Sequence, residues 1–554
     1  MRYIFLTEVC GNRNNNRERE FFSPGYFNFL FMSWIKKIFL LFVFLSGSLA
    51  FAQNSTVSGI VFEDLNENGK LDSNEVGVEG VGVSSLSGIV ETDSRGGFKL
   101  EICKNDIVFV IKPSGYHFHL NEYNIPKYFE QIYPQGSPKS LNYAGIRPTL
   151  PKDTLLFPLI PSDTQSGFRV NMVADPQMPR KREVWFFRET IIPSLLTANS
   201  EVTIFLGDIA DNNLDVFPHF MGSLKALENP VYAVFGNHDV NYRSPDNSLK
   251  AETFRSWFGP DYYAFNYGNT HFVALNTVDY FGWNDEYKKK GSYFGGIDST
   301  QLQWLEQDLA LVDENFRIVL LTHIPLHPDY FKKQDLKKIF SLLEDRREVT
   351  IVSGHLHQNK SWAYGPELYW NGKSQLRSVI AGSASGSWWS GPYASDSIPQ
   401  ATCVDGSPQG FYQYAFRDDG FNYRFVPAQK KEDYQLRISS PHRIVKYNPE
   451  KPHRVVVNVF SGDERCSVKF SIDGGTFTGM KQFTGVDPFV ERTHFRRING
   501  DNWSPGISQT DHLWEGELPL KLEPGIHTIK SVVGFPDGKK YSATTQFELV
   551  DDGQ

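Results

Sequence analysis

Only four of the 554 residues are cysteine. Cys10 precedes a leader-like segment, and Cys103, Cys403 and Cys466 are an odd set in three separate regions. They allow at most one disulfide and demand none, so a disulfide-built scaffold is excluded. They read as small buried residues. After residue 52 no apolar run reaches the roughly 18–20 residues of a membrane-crossing helix, so no transmembrane anchor is expected beyond that point. Basic charge is also scarce. The chain carries −8, and its first 52 residues hold six basic and three acidic side chains, which leaves −11 on the remainder. That balance disfavours a sequence-independent grip on nucleic acid, and no basic patch stands out. There is no G-x-S-x-G turn, so a serine nucleophile has no visible carrier. Internal repeats and long low-complexity runs are missing too.

Apolar residues make up 40% and charged residues 22%, ordinary values for a globular chain. Aromatics at 14% suit extended β structure. The length predicts two to four domains. Lys36 and Lys37, an apolar stretch over 38–45 and Ala50-Phe51-Ala52 read as an export signal cut after Ala52. The expected location is periplasmic or extracellular. Residues 1–31, upstream of Met32, are set aside with the leader as 1–52. Period-2 alternation and frequent turns predict a β-sandwich over 53–125. Residues 126–167, rich in Pro, Tyr and Ser, read as a linker. Strands and helices alternate over 168–430, with helical spacing at 182–197, 299–311 and 334–343. Strands return over 431–554, where Asp473-Gly474-Gly475 and Pro536-Asp537-Gly538 signal hairpins and a second β-sandwich.

Five motifs fall in order within the α/β stretch: Asp175-Pro176-Gln177, Gly207-Asp208, Gly236-Asn237-His238-Asp239, His323, and Gly354-His355-Leu356-His357. Each follows a short β-branched or apolar run. Asp, Asn and His therefore emerge where strands end. If those strands share one sheet, the side chains converge on its edge, where open α/β sheets bind ligands. One Gly-Asp is a common turn filler, but five such motifs in order are not. Carboxylate, amide and imidazole together suit two borderline metal ions such as Mn, Fe or Zn. Two cations about 3.5–4 Å apart polarise a phosphoryl group and activate water. Asp208 is the natural bridge, since one carboxylate offers two oxygens. The spacing of His355 and His357 leaves open whether they share a metal.

On these motifs the chain resembles the calcineurin-like metallophosphoesterases, over about residues 168–427. The resemblance implies that Asp175, Gln177 and His357 hold a first metal. Asp208 bridges, and Asn237, His323 and His355 complete the second site. His238 would stand beside the substrate phosphate, with Asp239 orienting it. The family's usual first motif is Asp-x-His, whereas Gln177 stands here. A variant branch with an Asp-Pro-Gln motif and added N- and C-terminal β domains resembles the chain over most of its length. The implied fold is an αββα sandwich with mixed sheets, flanked by two small all-β sandwiches. The implied activity is hydrolysis of a phosphate monoester or diester, from a small molecule or the cell envelope. The competing expectation is a non-catalytic surface protein that binds glycan or cell wall around a vestigial core. Metallo-β-lactamase-like enzymes would need an H-x-H-x-D-H run, and it is absent.

Two further features are singled out. Residues 64–75 fit the calcium-loop template D-x-[DN]-x-[DN]-G-x5-E, with Asp64, Asn66, Asn68 and Glu75 as oxygen donors and Gly69 at the sharp turn. Trp388 and Trp389 lie among glycines and read either as a mobile substrate flap or as packing against the C-terminal domain.

Overall fold

The structure, a computed structural model, describes residues 55–163, 167–446, 448, 450, 452–494 and 506–550. The leader expectation over 1–52 lies outside these residues.

The strand-end logic of the sequence is realised in two sheets rather than one. The first core sheet orders its strands Val231–Ala233, Val202–Phe205, Gly167–Val173, Gly410–Arg417 and Gly420–Pro427. The first three run parallel, and the last two are added antiparallel. The second orders Tyr263–Tyr267, Thr270–Leu275, Arg317–Thr322, Val349–Ser353, Leu376–Ile380 and Lys360–Tyr364. Its four central strands are parallel and its two edges antiparallel.

Period-2 alternation explains how these sheets pack. Along Val202–Phe205 and its neighbour, Val202, Ile204, Tyr232 and Val234 join the large apolar cluster shared with Phe272, Val319, Leu321 and Ile351 of the second sheet. Phe205, Val231 and Ala233 point the other way, into a cluster with the helices Lys181–Ala198 and Phe217–Leu224. Phe205 meets Phe220 edge-on at 5.1 Å and Phe187 at 6.0 Å. Truncating such a ring to Ala costs about 3–5 kcal/mol. Helices Ser299–Ala310 and Lys333–Ser341 bury Trp304, Leu305, Leu336 and Ile339 in the larger cluster. This is the expected sandwich of two mixed sheets with helices outside.

Regions built mainly of strands flank the core, and the C-terminal one departs from the expected all-β sandwich by the short helix Pro488–His494. The N-terminal one has two four-stranded sheets, and Trp304 Nε1 of the core donates to Ser84 Oγ of this region at 2.8 Å. The expected linker is corrected here. Residues 126–167 supply the strands Phe129–Ile132 and Leu155–Pro161, and the latter pairs in parallel with Ser55–Glu63. Prolines concealed the alternation of Leu155, Phe157 and Leu159, all of which are buried. After residue 435 a four-stranded and a five-stranded sheet follow. Of the three described cysteines only Cys403 is buried; Cys103 is exposed and Cys466 intermediate, and none is disulfide-bonded. No helix among the described residues is long and apolar enough to cross a membrane.

Candidate metal centre

Each parallel strand that carries a motif ends at the seam between the two core sheets, and the chain turns sharply there. Asp175, Gln177, Asp208, His355 and His357 all have positive φ, between 39° and 77°. Non-glycine residues in that region are strained, and such strain concentrates at functional sites. The neighbouring glycines are explained by crowding. A Cβ on Gly207 would lie 2.7 Å from His323 Nδ1, and one on Gly354 would lie 2.8 Å from Asp175 Oδ2. One on Gly236 would collide with Asp208.

The structure brings the expected ligands together. His323 Nε2 lies 3.1 Å from Asp208 Oδ2, 2.9 Å from Asn237 Oδ1 and 3.3 Å from His355 Nδ1. Ligand atoms of Asp208, His323 and His355 all fall within 4.8 Å of one another. On the other side His357 Nε2 lies 3.7 Å from Asp175 Oδ1, and both Asp175 oxygens accept from the His355 backbone N–H at 3.0 and 3.1 Å. Backbone carbonyls set the ring orientations. His323 Nδ1 donates to the Leu206 carbonyl and His357 Nδ1 to the Gly386 carbonyl, each at 2.8 Å. Such outer partners aim the second ring nitrogen at a metal.

These contacts demand a cation. With Nδ1 used as donor, a neutral His323 presents a bare Nε2 to the oxygens of Asp208 and Asn237, and all three are acceptors. A proton on Nε2 or a metal ion relieves the conflict. Burial pushes His323 down, but Asp208 and Asp175 outweigh it, and its pKa is pushed up to about 9. Burial, with His323 alongside, pushes His355 down to about 3. Burial raises Asp175 against the pull of His357 and His323. It also pushes Asp208 up, but His323 and His238 hold that carboxyl below its ordinary range. Gln177 supplies an independent sign. It is 1% exposed, its backbone N–H bonds the Asp208 carbonyl at 2.8 Å, and its Oε1 is buried without a hydrogen-bond partner. A buried bare oxygen is costly, and a metal ion would satisfy it. The residues present therefore fit two metal ions.

His238 stands at the rim. Its backbone N–H donates to Asp208 Oδ1 at 2.7 Å, and its Nδ1 lies 3.0 Å from Asp211 Oδ1, close enough to pair though not aligned as a hydrogen bond. The expected role of Asp239 is corrected. Its carboxylate is fully buried and accepts from the backbone N–H groups of Ile209, Ala210 and Gly236 at 3.3, 2.9 and 3.1 Å. Burial, with Asp208 beside it, pushes Asp239 up to about 7. Asp239 ties two ligand loops together, and Asp211 is the carboxylate at His238. The sequence held one hint of this, an acid three residues after Asp208 in the same strand-end loop.

The tryptophan pair divides. Trp389 is buried, and its Nε1 donates to the Pro176 carbonyl at 2.8 Å, so it braces the first motif and is no mobile flap. Trp388 is partly exposed and stacks on His357 at 4.4 Å. Both border a cleft of about 1060 Å³ that also includes Asp211, Arg182 and Tyr393, together with Phe489 and Thr493 of the C-terminal region.

The calcium-type loop is closed on itself. Asp64 and Glu75 are buried; Asp64 accepts from the N–H groups of Asn68 and Gly69 and lies 2.7 Å from His119 Nε2. Glu75 accepts from Leu65 and Asp72. Asn66 and Asn68 are exposed and donate to Asp72.

Two facing mixed sheets whose strand ends gather two carboxylates, two amides and three imidazoles define a metal-dependent hydrolase of the phosphoesterase class. Comparison with known families agrees. Residues 65–147 match the N terminal of Calcineurin-like phosphoesterase, 168–359 match Calcineurin-like phosphoesterase, and 379–541 match the C terminal of Calcineurin-like phosphoesterase. The chain belongs to the calcineurin-like phosphoesterases. Among relatives, human Serine/threonine-protein phosphatase CPPED1 is 27% identical over 147 residues, 24% of this chain and 44% of that protein. The Probable glycerophosphodiester phosphodiesterase GpdQ of Arcobacter nitrofigilis is 26% identical over 175 residues, 29% of this chain and 59% of that protein. The Probable cyclic nucleotide phosphodiesterase of Moraxella catarrhalis is 28% identical over 167 residues, with the same coverages. The chain thus spans about half the length of the curated relatives it matches. A purple acid phosphatase from yellow lupin seeds aligns in structure with TM-score 0.32 and 12% identity, over 64% of this chain and 69% of that one.

Proposed function

We propose that the protein hydrolyses a phosphate monoester or diester at a dinuclear centre held by Asp175, Gln177, Asp208, Asn237, His323, His355 and His357. The meeting of Asp208, His323 and His355 at the sheet seam carries this reading. When bound, the two cations polarise the phosphoryl group and lower the pKa of a water to make it a nucleophile. Water adds to phosphorus as the bond to the leaving oxygen breaks. His238 sits beside the ligands with Nδ1 turned to Asp211, which leaves its other nitrogen to protonate the departing alkoxide. Relatives that bear the names of a phosphatase and of phosphodiesterases support ester hydrolysis without separating monoester from diester.

The test is a substrate panel of phosphomonoesters, phosphodiesters, nucleotides and nucleotide sugars with Mn²⁺, Zn²⁺ or Fe, beside Asp208→Asn. Removing the bridging charge should abolish both metal content and turnover. A wild type that binds metal yet turns over nothing would favour the vestigial binding protein. Full occupancy and rate in Asp208→Asn would refute the bridge.

We also propose export, supported by Lys36, Lys37, the apolar run 38–45 and Ala50-Phe51-Ala52. N-terminal sequencing of the mature protein should begin at Gln53; an intact start would refute it.

A further inference from the structure

Lys290 ends a run of three lysines in the loop 281–292, between the paired strands Val278–Tyr280 and Tyr293–Gly295. A lysine run is ordinarily a solvated face, and Lys288 and Lys289 are indeed exposed. Lys290 turns inward. Its Nζ donates to the backbone carbonyl of Asn237 at 2.6 Å and to Asn212 Oδ1 at 2.7 Å. Asn212 in turn donates its backbone N–H to the carbonyl of His238 at 3.1 Å. One ammonium thus secures two successive carbonyls, the first directly and the second through Asn212. Those carbonyls belong to a metal-ligand candidate and to the residue placed beside the leaving group. The same hairpin sets Tyr293 edge-on to His355, 6.2 Å between ring centroids. A compact cation with three donors suits the task, because it bridges acceptors on separate loops without a fixed fork geometry.

We infer that Lys290 is a positioning residue, which holds the Asn237–His238 turn so that the metal ligand and the proton donor keep their mutual geometry. The inference rests on the hydrolytic reading above. Misplacing a reacting group by about 1 Å costs about 10²-fold in rate, whereas metal affinity is spread over seven side chains and should survive. Because the braced groups act in the chemical step, the loss should fall on kcat and leave KM nearly unchanged.

The experiment compares wild type, Lys290→Ala and Lys289→Ala for metal content, melting temperature, kcat and KM on one aryl phosphoester. Lys289→Ala should match wild type. Lys290→Ala should keep its metal and lose about 10²-fold in kcat, and added ethylammonium should restore part of it. Asn212→Ala keeps the bond from Lys290 to Asn237 and should show a smaller loss of the same kind, which serves if Lys290→Ala does not fold. A normal kcat in both variants would overturn the inference. So would a rate loss that only tracks lost metal, or one that appears in KM alone. If wild type itself hydrolyses no phosphoester, the functional reading fails first and takes this inference with it.

Discussion

Asp211 Oδ1 lies 3.0 Å from His238 Nδ1, whereas Asp239, the next residue after His238, spends its carboxylate on three backbone N–H groups. Two acids near one histidine thus have different work, and substitution separates them. His238→Ala should keep its metal and slow turnover by about 10²–10⁴-fold, the range for proton transfer by a side chain. Asp211→Asn should show a milder loss in the same step, and both losses should shrink for esters with good leaving groups. Asp239→Asn should instead lower the melting temperature, because it weakens the loop tie. Equal losses on alkyl and aryl esters in His238→Ala would show that no proton is transferred there.

Gln177 predicts the behaviour of the first metal. An amide oxygen is a harder donor than imidazole and favours Mn²⁺ or Mg²⁺ over Zn or Fe. The enzyme should lose one metal readily on dialysis and recover with added Mn²⁺. Gln177→His should tighten that site and shift it toward Zn or Fe, measured by metal analysis after dialysis. Unchanged retention and preference would place residue 177 outside the coordination shell.

Metal loading should depend on pH through His323. Its folded pKa of about 9 lies above the usual 6.5, so protonation stabilises the metal-free fold fully below 6.5. That contribution is lost as pH rises through 9. Metal needs the neutral ring, so loading runs the opposite way. Titration calorimetry in buffers of different ionisation enthalpy should detect proton release on metal binding between pH 6.5 and 9. Affinity should rise over the same window. Binding without proton release at pH 8 would contradict the cationic His323.

Calcium at the 64–75 loop is the fourth expectation. Binding to the folded state alone raises stability by RT ln(1 + [L]/Kd). Extracellular loops of this kind bind at about 10⁻⁴–10⁻³ M. Millimolar Ca²⁺ should therefore raise the melting temperature of the N-terminal region, and Glu75→Gln should remove the rise. His119 at Asp64 offers a competing partner, and a melting curve indifferent to calcium would show that this partner prevails.

Much of this protein is legible in its sequence, because the signals are local. Short β-branched or apolar runs before Asp175, Asp208, Asn237, His323 and His355 marked the strands, and the residues just beyond marked the candidate ligands. The hairpin turns of the C-terminal region and the three helices at 3.6 spacing were readable for the same reason. Tertiary structure alone decided how those strands divide between two sheets, since parallel neighbours are joined by long crossovers that carry no register signal. It decided that Leu155–Pro161 lies inside the N-terminal sheet beside Ser55–Glu63, because prolines masked a short alternation whose partner lies some hundred residues earlier. It also chose Asp211 over Asp239 and turned Lys290 inward from a run that composition reads as surface. A carboxylate or an ammonium has no period. Its role depends on which distant backbone and ring atoms come within about 3 Å, and only the folded chain sets those distances.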